Sequence, residues 1–170
     1  MLHRGQLAVI VAALAVPFAA RAEQLMFMFP LDPGQEVQTP SVDSTGSGLG
    51  HVMYDTDTNV IDWSISFQNL VSPVSMAHFH GPASVGQNAS IILGVATTAV
   101  TAGLLEGSGA FPESREQALL DGLVYFNIHT NTYPGGEIRG QVVPEPATAI
   151  LGMLSAAVVL ARRTRRKTSH

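Results

Sequence analysis

Cysteine is absent from the 170-residue chain. In an exported protein this excludes disulfide staples, so the fold rests on a hydrophobic core, for which about 120 residues between the two ends suffice. Positive charge is nearly absent from the middle. Only Arg115 and Arg139 offset all thirteen acidic residues between Glu23 and Glu145, which leaves this body at −11 in a chain whose total is −4. Such a body excludes nucleic-acid binding through phosphates, which needs clustered Lys and Arg. It stays soluble by self-repulsion and attracts cations. No Gly-x-Ser-x-Gly elbow and no nucleotide loop is present, and two arginines leave little to hold a phosphoryl or carboxylate substrate. Long apolar runs are missing too. Residues 7–20, broken by Pro17, and residues 147–161 both fall short of the roughly 18–20 residues of an ordinary membrane span.

The two short runs lie at the ends, and both ends read as addresses. Residues 1–22 have a positive start at Arg4, an apolar run and the small-x-small pattern Ala20-Arg21-Ala22. This is the form of a secretory signal helix cleaved between Ala22 and Glu23; the alternative is an anchor that stays attached. At the other end, Pro144-Glu145-Pro146 is followed by fifteen uncharged residues and then Arg162, Arg163, Arg165, Arg166 and Lys167. A basic block after an apolar helix places that block in the cytoplasm and the body outside, with a C-terminal transmembrane helix between. The expected division is 1–22 signal, 23–143 folded domain, and 144–170 sorting or anchor segment.

Within the body, period-two alternation dominates. Residues 60–68 put Ile61, Trp63, Ile65 and Phe67 on one face and Asp62, Ser64, Ser66 and Gln68 on the other. Residues 24–30, 49–54 and 74–80 read as further strands, and 36–40 as short and extended. Residues 90–95 form a continuous apolar run, expected to be a more buried strand, and 97–109 read as loop plus a weak strand. Ser114-Arg115-Glu116-Gln117 has capping-box form ahead of Ala118-Leu119-Leu120, with Gly122 as a stop. Several short strands, frequent turns and one helix predict an all-β antiparallel sandwich or barrel.

Residues 123–142 organise the rest, as a hairpin about Tyr133, Pro134, Gly135 and Gly136. A register symmetric about Tyr133 pairs Val124 with Val142, Phe126 with Gly140 and Ile128 with Ile138 on an apolar face, with Phe126 covering Gly140. It pairs Tyr125 with Gln141, Asn127 with Arg139 and His129 with Glu137 on a polar face. A one-residue slip would scramble both faces.

The tail, from Val143 to Lys167, resembles the PEP-CTERM sorting signal of Gram-negative bacteria. The resemblance implies passage through the Sec export machinery and a transient stage in the inner membrane. It further implies removal by an exosortase, with release to the cell surface or extracellular matrix; the alternative is a plain anchor. The body resembles the CHRD (chordin-type) domain through Pro33-Gly34-Gln35-Glu36-Val37, through Ala77-His78-Phe79-His80-Gly81-Pro82-Ala83, and through residues 125–129 with 136–141. It departs from that pattern at Gln38-Thr39-Pro40, where a Pro-Pro pair is common, and at Phe79, where Ile or Val is. This resemblance implies an immunoglobulin-like β-sandwich and no defined biochemical role.

Candidate chemistry centres on histidine. His78 and His80, two apart on a strand, share a face, and His129 ends another strand. Together they are a possible three-imidazole site for zinc or copper, with His51 as a possible fourth ligand. The competing reading has these imidazoles bonding to turn backbone or to Glu137 and bracing the Gly81-Pro82 corner. Glu137 and Arg139 are either a ligand-binding patch or cross-strand partners, Glu137 of His129 and Arg139 of Asn127 or a nearby acid. Asp55-x-Asp57-x-Asn59 has the opening of a calcium loop, but Val60 and Ser66 stand where that loop needs glycine and glutamate, so it reads as a hairpin turn. The expectation is a non-enzymatic, secreted binding or structural module. Its partners would be exopolysaccharide or another envelope protein. The alternative is a His-ligated metal protein or a metalloenzyme resembling copper-zinc superoxide dismutase. Such an enzyme wants four histidines on one copper and a Gly-Asp-Leu-Gly-Asn stretch that this chain lacks.

Overall fold

Alternating apolar side chains pair into two antiparallel sheets in the computed structural model, which describes residues 24–144. The signal junction at Ala22 and Glu23, Glu145 and Pro146 of the sorting motif, and the stretches expected to form the signal and transmembrane helices lie outside the described residues. Pro144, the first residue of the sorting motif and the last described residue, bridges Phe27. Among the described residues no helix is long and apolar enough to cross a membrane.

Strands β1 (Gln24–Leu31), β2 (Ser47–Asp55), β3 (Val60–Gln68) and β6 (Gly103–Ala110) make the first sheet, in the order β1-β2-β3-β6. Strands β4 (Val74–His80), β5 (Ile91–Val95), β7 (Val124–Thr130) and β8 (Ile138–Val142) make the second, in the order β5-β4-β7-β8. The two-layer sandwich matches the expectation. Its strand order does not match an immunoglobulin constant domain, which lays strands 1-2-5-4 over 3-6-7. Here β3 stays beside β2 because the short Asp55–Asn59 turn returns the chain directly, with Asp55 Oδ1 accepting from Asp57 N at 3.0 Å and Thr58 N at 2.9 Å.

The core lies between the sheets. Phe27, Phe29 and Leu31 of β1 and Ile61, Trp63, Ile65 and Phe67 of β3 meet Phe79 of β4 and Val124, Phe126 and Ile128 of β7. Trp63 and Phe79 touch edge-to-face across the layers at 5.9 Å. Burying each such side chain is worth about 1.5–3 kcal/mol, enough to fix which face of every strand points inward. One edge of the sandwich closes, since Asp32 and Arg139 exchange both backbone hydrogen bonds at 3.1 Å and so seat β8 beside β1.

Several local expectations need correction. The apolar run at β5 is an edge strand with Ile91 exposed, because β4 pairs with it on one side only. The loop and weak strand expected over 97–109 are as read, the strand being β6 at the edge of the first sheet. Its Gly107 carries no side chain because Trp63 lies where a Cβ would go. Ser114 caps nothing. The chain enters α1 (Glu116–Leu120) through a 3-10 turn at Glu113–Arg115, while Glu116 accepts from Tyr54 Oη at 2.9 Å and Gln117 bonds Asp121 instead. The hairpin register is as read, Val124 to Val142, Phe126 to Gly140 and Ile128 to Ile138. Its polar face, however, is buried as well as its apolar one, and every residue of β7 and β8 is buried.

Candidate metal centre

That buried polar face is roofed by two loops. Residues 32–40 attach through Gln38 Nε2 to Gly136 O at 2.8 Å and through Gln141 N to Gln35 Oε1 at 3.2 Å. Residues 81–89 attach through Gln141 Nε2 to Ala83 O at 2.9 Å, and Asn88 Nδ2 ties one loop to the other at Val37 O. Beneath the roof, β4 presents His78 and His80 outward because Ala77 and Phe79, which alternate with them, enter the core. In the β4–β7 register His80 stands opposite Tyr125, His78 opposite Asn127, and His129 lies one step diagonally from His78. Diagonal neighbours on a sheet are within reach of long side chains.

The three imidazoles thus converge, with one ring nitrogen of each within 4.8 Å of the others. Their partners assign the tautomers. A carbonyl oxygen only accepts, so His80 Nδ1–H donates to Ala89 O at 3.0 Å and His129 Nδ1–H donates to Pro134 O at 2.9 Å. Both Nε2 atoms are therefore bare lone pairs. His129 Nε2 accepts from His78 Nδ1 at 3.2 Å, while His80 Nε2 is buried without a hydrogen-bond partner. Tetrahedral zinc with bonds of 2.0–2.1 Å needs its ligand nitrogens about 3.3 Å apart. The His78–His129 pair already has that spacing, and His80 has to close on it.

Electrostatics favours neutral rings. Burial pulls the His78 pKa down to about 4, and the neighbouring His129 and His80 add to the fall. Burial is the largest cause that lowers His80 and His129, joined by the charge of Arg139 at His80 and of His80 at His129; it acts against the hydrogen bonds to Ala89 and Pro134 and a contact of His80 with Asn127. Neutral imidazole is the metal-binding form. The Ala89 residue that orients His80 is itself held, since Ala89 N donates to Tyr125 Oη at 3.2 Å, and the Tyr125 ring stacks on His80 at 4.8 Å. Access is from the β5 side, where Gly94 pairs with half-buried His78 and is itself exposed.

His51 is not a fourth ligand. It lies exposed on β2 in the other sheet, with the core between it and this cluster. Glu137 does not pair with His129. Its buried carboxylate accepts from Ser44 Oγ, Val71 N and Thr130 Oγ1 at 2.6–2.7 Å and ties three segments together. Arg139 stands opposite Asn127 in the register, but its side chain bonds elsewhere. It lies over the Tyr125 ring at 3.4 Å, donates to Gln87 O and Asn88 Oδ1, and has Glu36 as its nearby acid. The supporting residues Glu36, Tyr125, Asn127 and Ala89 were missed as a group. Glu36, Tyr125 and Asn127 stand in the stretches that carry the CHRD resemblance, which is their one signal in the sequence; Ala89 lies outside those stretches and has none.

The model of one protein family, described as the CHRD domain, matches residues 27–142. No curated protein and no solved structure matches the chain.

Proposed function

The chain belongs to the CHRD domain family, and from that premise we propose that its body is an exported metal-binding module, holding one zinc or copper ion on His78, His80 and His129. One observation carries the reading: a buried, bare imidazole nitrogen on His80 beside two more neutral rings, each of the two deeper rings oriented by a backbone carbonyl. An unpaired buried acceptor costs free energy, and a bound cation removes that cost. Carbonyl bracing, which competed with metal in the sequence, is here the outer layer of the same centre, because each braced ring uses only its Nδ1. Export rests on the form of the two ends, which gives the module its place at the cell surface or in the extracellular matrix, by way of Sec and an exosortase. Envelope polysaccharide or a second envelope protein is its partner there.

Calorimetric titration of the full chain with zinc and with copper(II) tests the site. Expected is one equivalent bound at micromolar or tighter affinity, abolished by His78→Ala with His80→Ala. Binding weaker than millimolar, or unchanged in that variant, sinks the reading. Dismutase activity of the copper-loaded chain would instead favour the metalloenzyme alternative, for which three of the four histidines among the described residues come together.

A further inference from the structure

The outer face of the first sheet carries an unassigned cluster of soft donors. In the β1–β2 register Met26 stands opposite Met53, and Met28 opposite His51. Phe27 and Val52 between them point into the core, so all four of these side chains share the outer face. Directly opposed residues have Cβ atoms about 4.5–5.5 Å apart. Three of the chain's six methionines are therefore gathered on one patch. Met26, Met28 and Met53 are 55%, 40% and 39% exposed, which is the wrong side of the sheet for packing. Met26, His51 and Met53 line one surface depression of about 270 Å³, with Asp62 beside them. Asp62 is the β3 partner of Met53 and brings negative charge to an otherwise uncharged donor set.

We propose that Met26, Met28, Met53 and His51 form a second metal site, selective for a soft monovalent ion of the copper(I) type. Thioethers are neutral, polarizable donors that prefer copper(I) over zinc, calcium or magnesium, and imidazole completes such a set. With no cysteine in the chain, no thiolate competes for the ion. The site lies across the core from His78, His80 and His129 and uses none of their atoms, so it stands or falls independently of the first centre.

Silver(I), a redox-inert substitute, tests it on the full chain carrying ¹³C-methyl methionine. One equivalent of silver(I) should shift the methyl signals of Met26, Met28 and Met53 together, and zinc should leave them in place. Met76, opposite His129 on the second sheet, reports separately on the first centre. The three shifts should persist when His78, His80 and His129 are all changed to Ala. In competition with bicinchoninate, Met26→Leu with Met53→Leu should weaken copper(I) binding about tenfold or more, since even outer-shell losses reach that size. Leucine keeps the patch apolar, so a face that merely docks a protein would give no silver shift and no change in copper(I) affinity. A shift confined to Met76, or equal copper(I) affinity in the leucine variant and the parent chain, overturns the proposal.

Discussion

Glu36 and the histidines pull the stability of the chain in opposite directions with pH. Burial raises the Glu36 pKa from 4.5 to about 7, against the charge of Arg139 and a contact with Asn127, and its Oε1 lacks a hydrogen-bond partner. The folded chain therefore holds that proton more tightly than the unfolded chain. The stability this contributes is complete below about pH 4.5 and is lost as pH rises through about 7. For His78 the folded pKa is depressed from 6.5 to about 4, so its contribution is complete above 6.5 and is lost as pH falls toward 4. Glu36→Gln removes the first effect alone. Its unfolding free energy should gain on that of the parent chain between pH 5 and 8, by about 3 kcal/mol at most. Denaturant titrations at each pH measure this, and parallel curves would show that Glu36 is not the titrating group. The same neutral rings predict that zinc affinity changes little from pH 8 to 7 and collapses toward pH 4, as successive calorimetric titrations would record. Residue identity made His78 and His80 legible, because two histidines flanking one core aromatic on a strand must share a face. The burial of Glu36 was not legible, since nothing in an aperiodic polar segment says what it covers.

At the scale of elements, β8 is seated by a missing side chain. The sequence suggested that Phe126 covers Gly140, its cross-strand partner. A Cβ at Gly140 would instead strike Pro30 O and come within 2.7 Å of the Phe29 ring, both on β1. The glycine thus lets β8 approach the other sheet and complete the closed edge at Asp32 and Arg139. Gly140→Ala should cost about 1–3 kcal/mol, as overpacking does, and lower the thermal midpoint without changing the strand register. An unchanged midpoint would mean that β8 need not approach so closely. The hairpin was readable because turn chemistry and a period of two both fix it locally. The place of β8 beside β1 was not, because residues more than a hundred apart in the chain meet there and neither strand's pattern records the meeting. The same limit explains β5 and the Ser114 cap. An apolar run does not say how many neighbours it has. A capping sequence does not say that Tyr54 and Asp121 compete for its side chains.

For the molecule as a whole, the deciding matter is whether the body needs its ends. Every core contact named here lies within residues 24–144, and both sheets are complete there. The segments that cross between layers are pinned from inside. Glu137, fully buried, accepts one hydrogen bond each from the segment before β2, the crossover after β3 and the end of β7. Removing that carboxylate strands three donors at once, at about 1–3 kcal/mol for each that water cannot reach. A fragment of residues 24–144 should accordingly unfold in one cooperative step, with calorimetric and van't Hoff enthalpies equal. It should gain stability with added salt, because screening relieves repulsion in a body so rich in acid. Glu137→Ala in that fragment should lower stability by about 3 kcal/mol or more and loosen all three segments together. Hydrogen exchange at Val71 and around Thr130 would show this. If Val71 alone loses protection, the tie is local, and the sandwich is held by its apolar layers only. If the trimmed fragment melts without a cooperative transition, the ends belong to the fold and are not addresses.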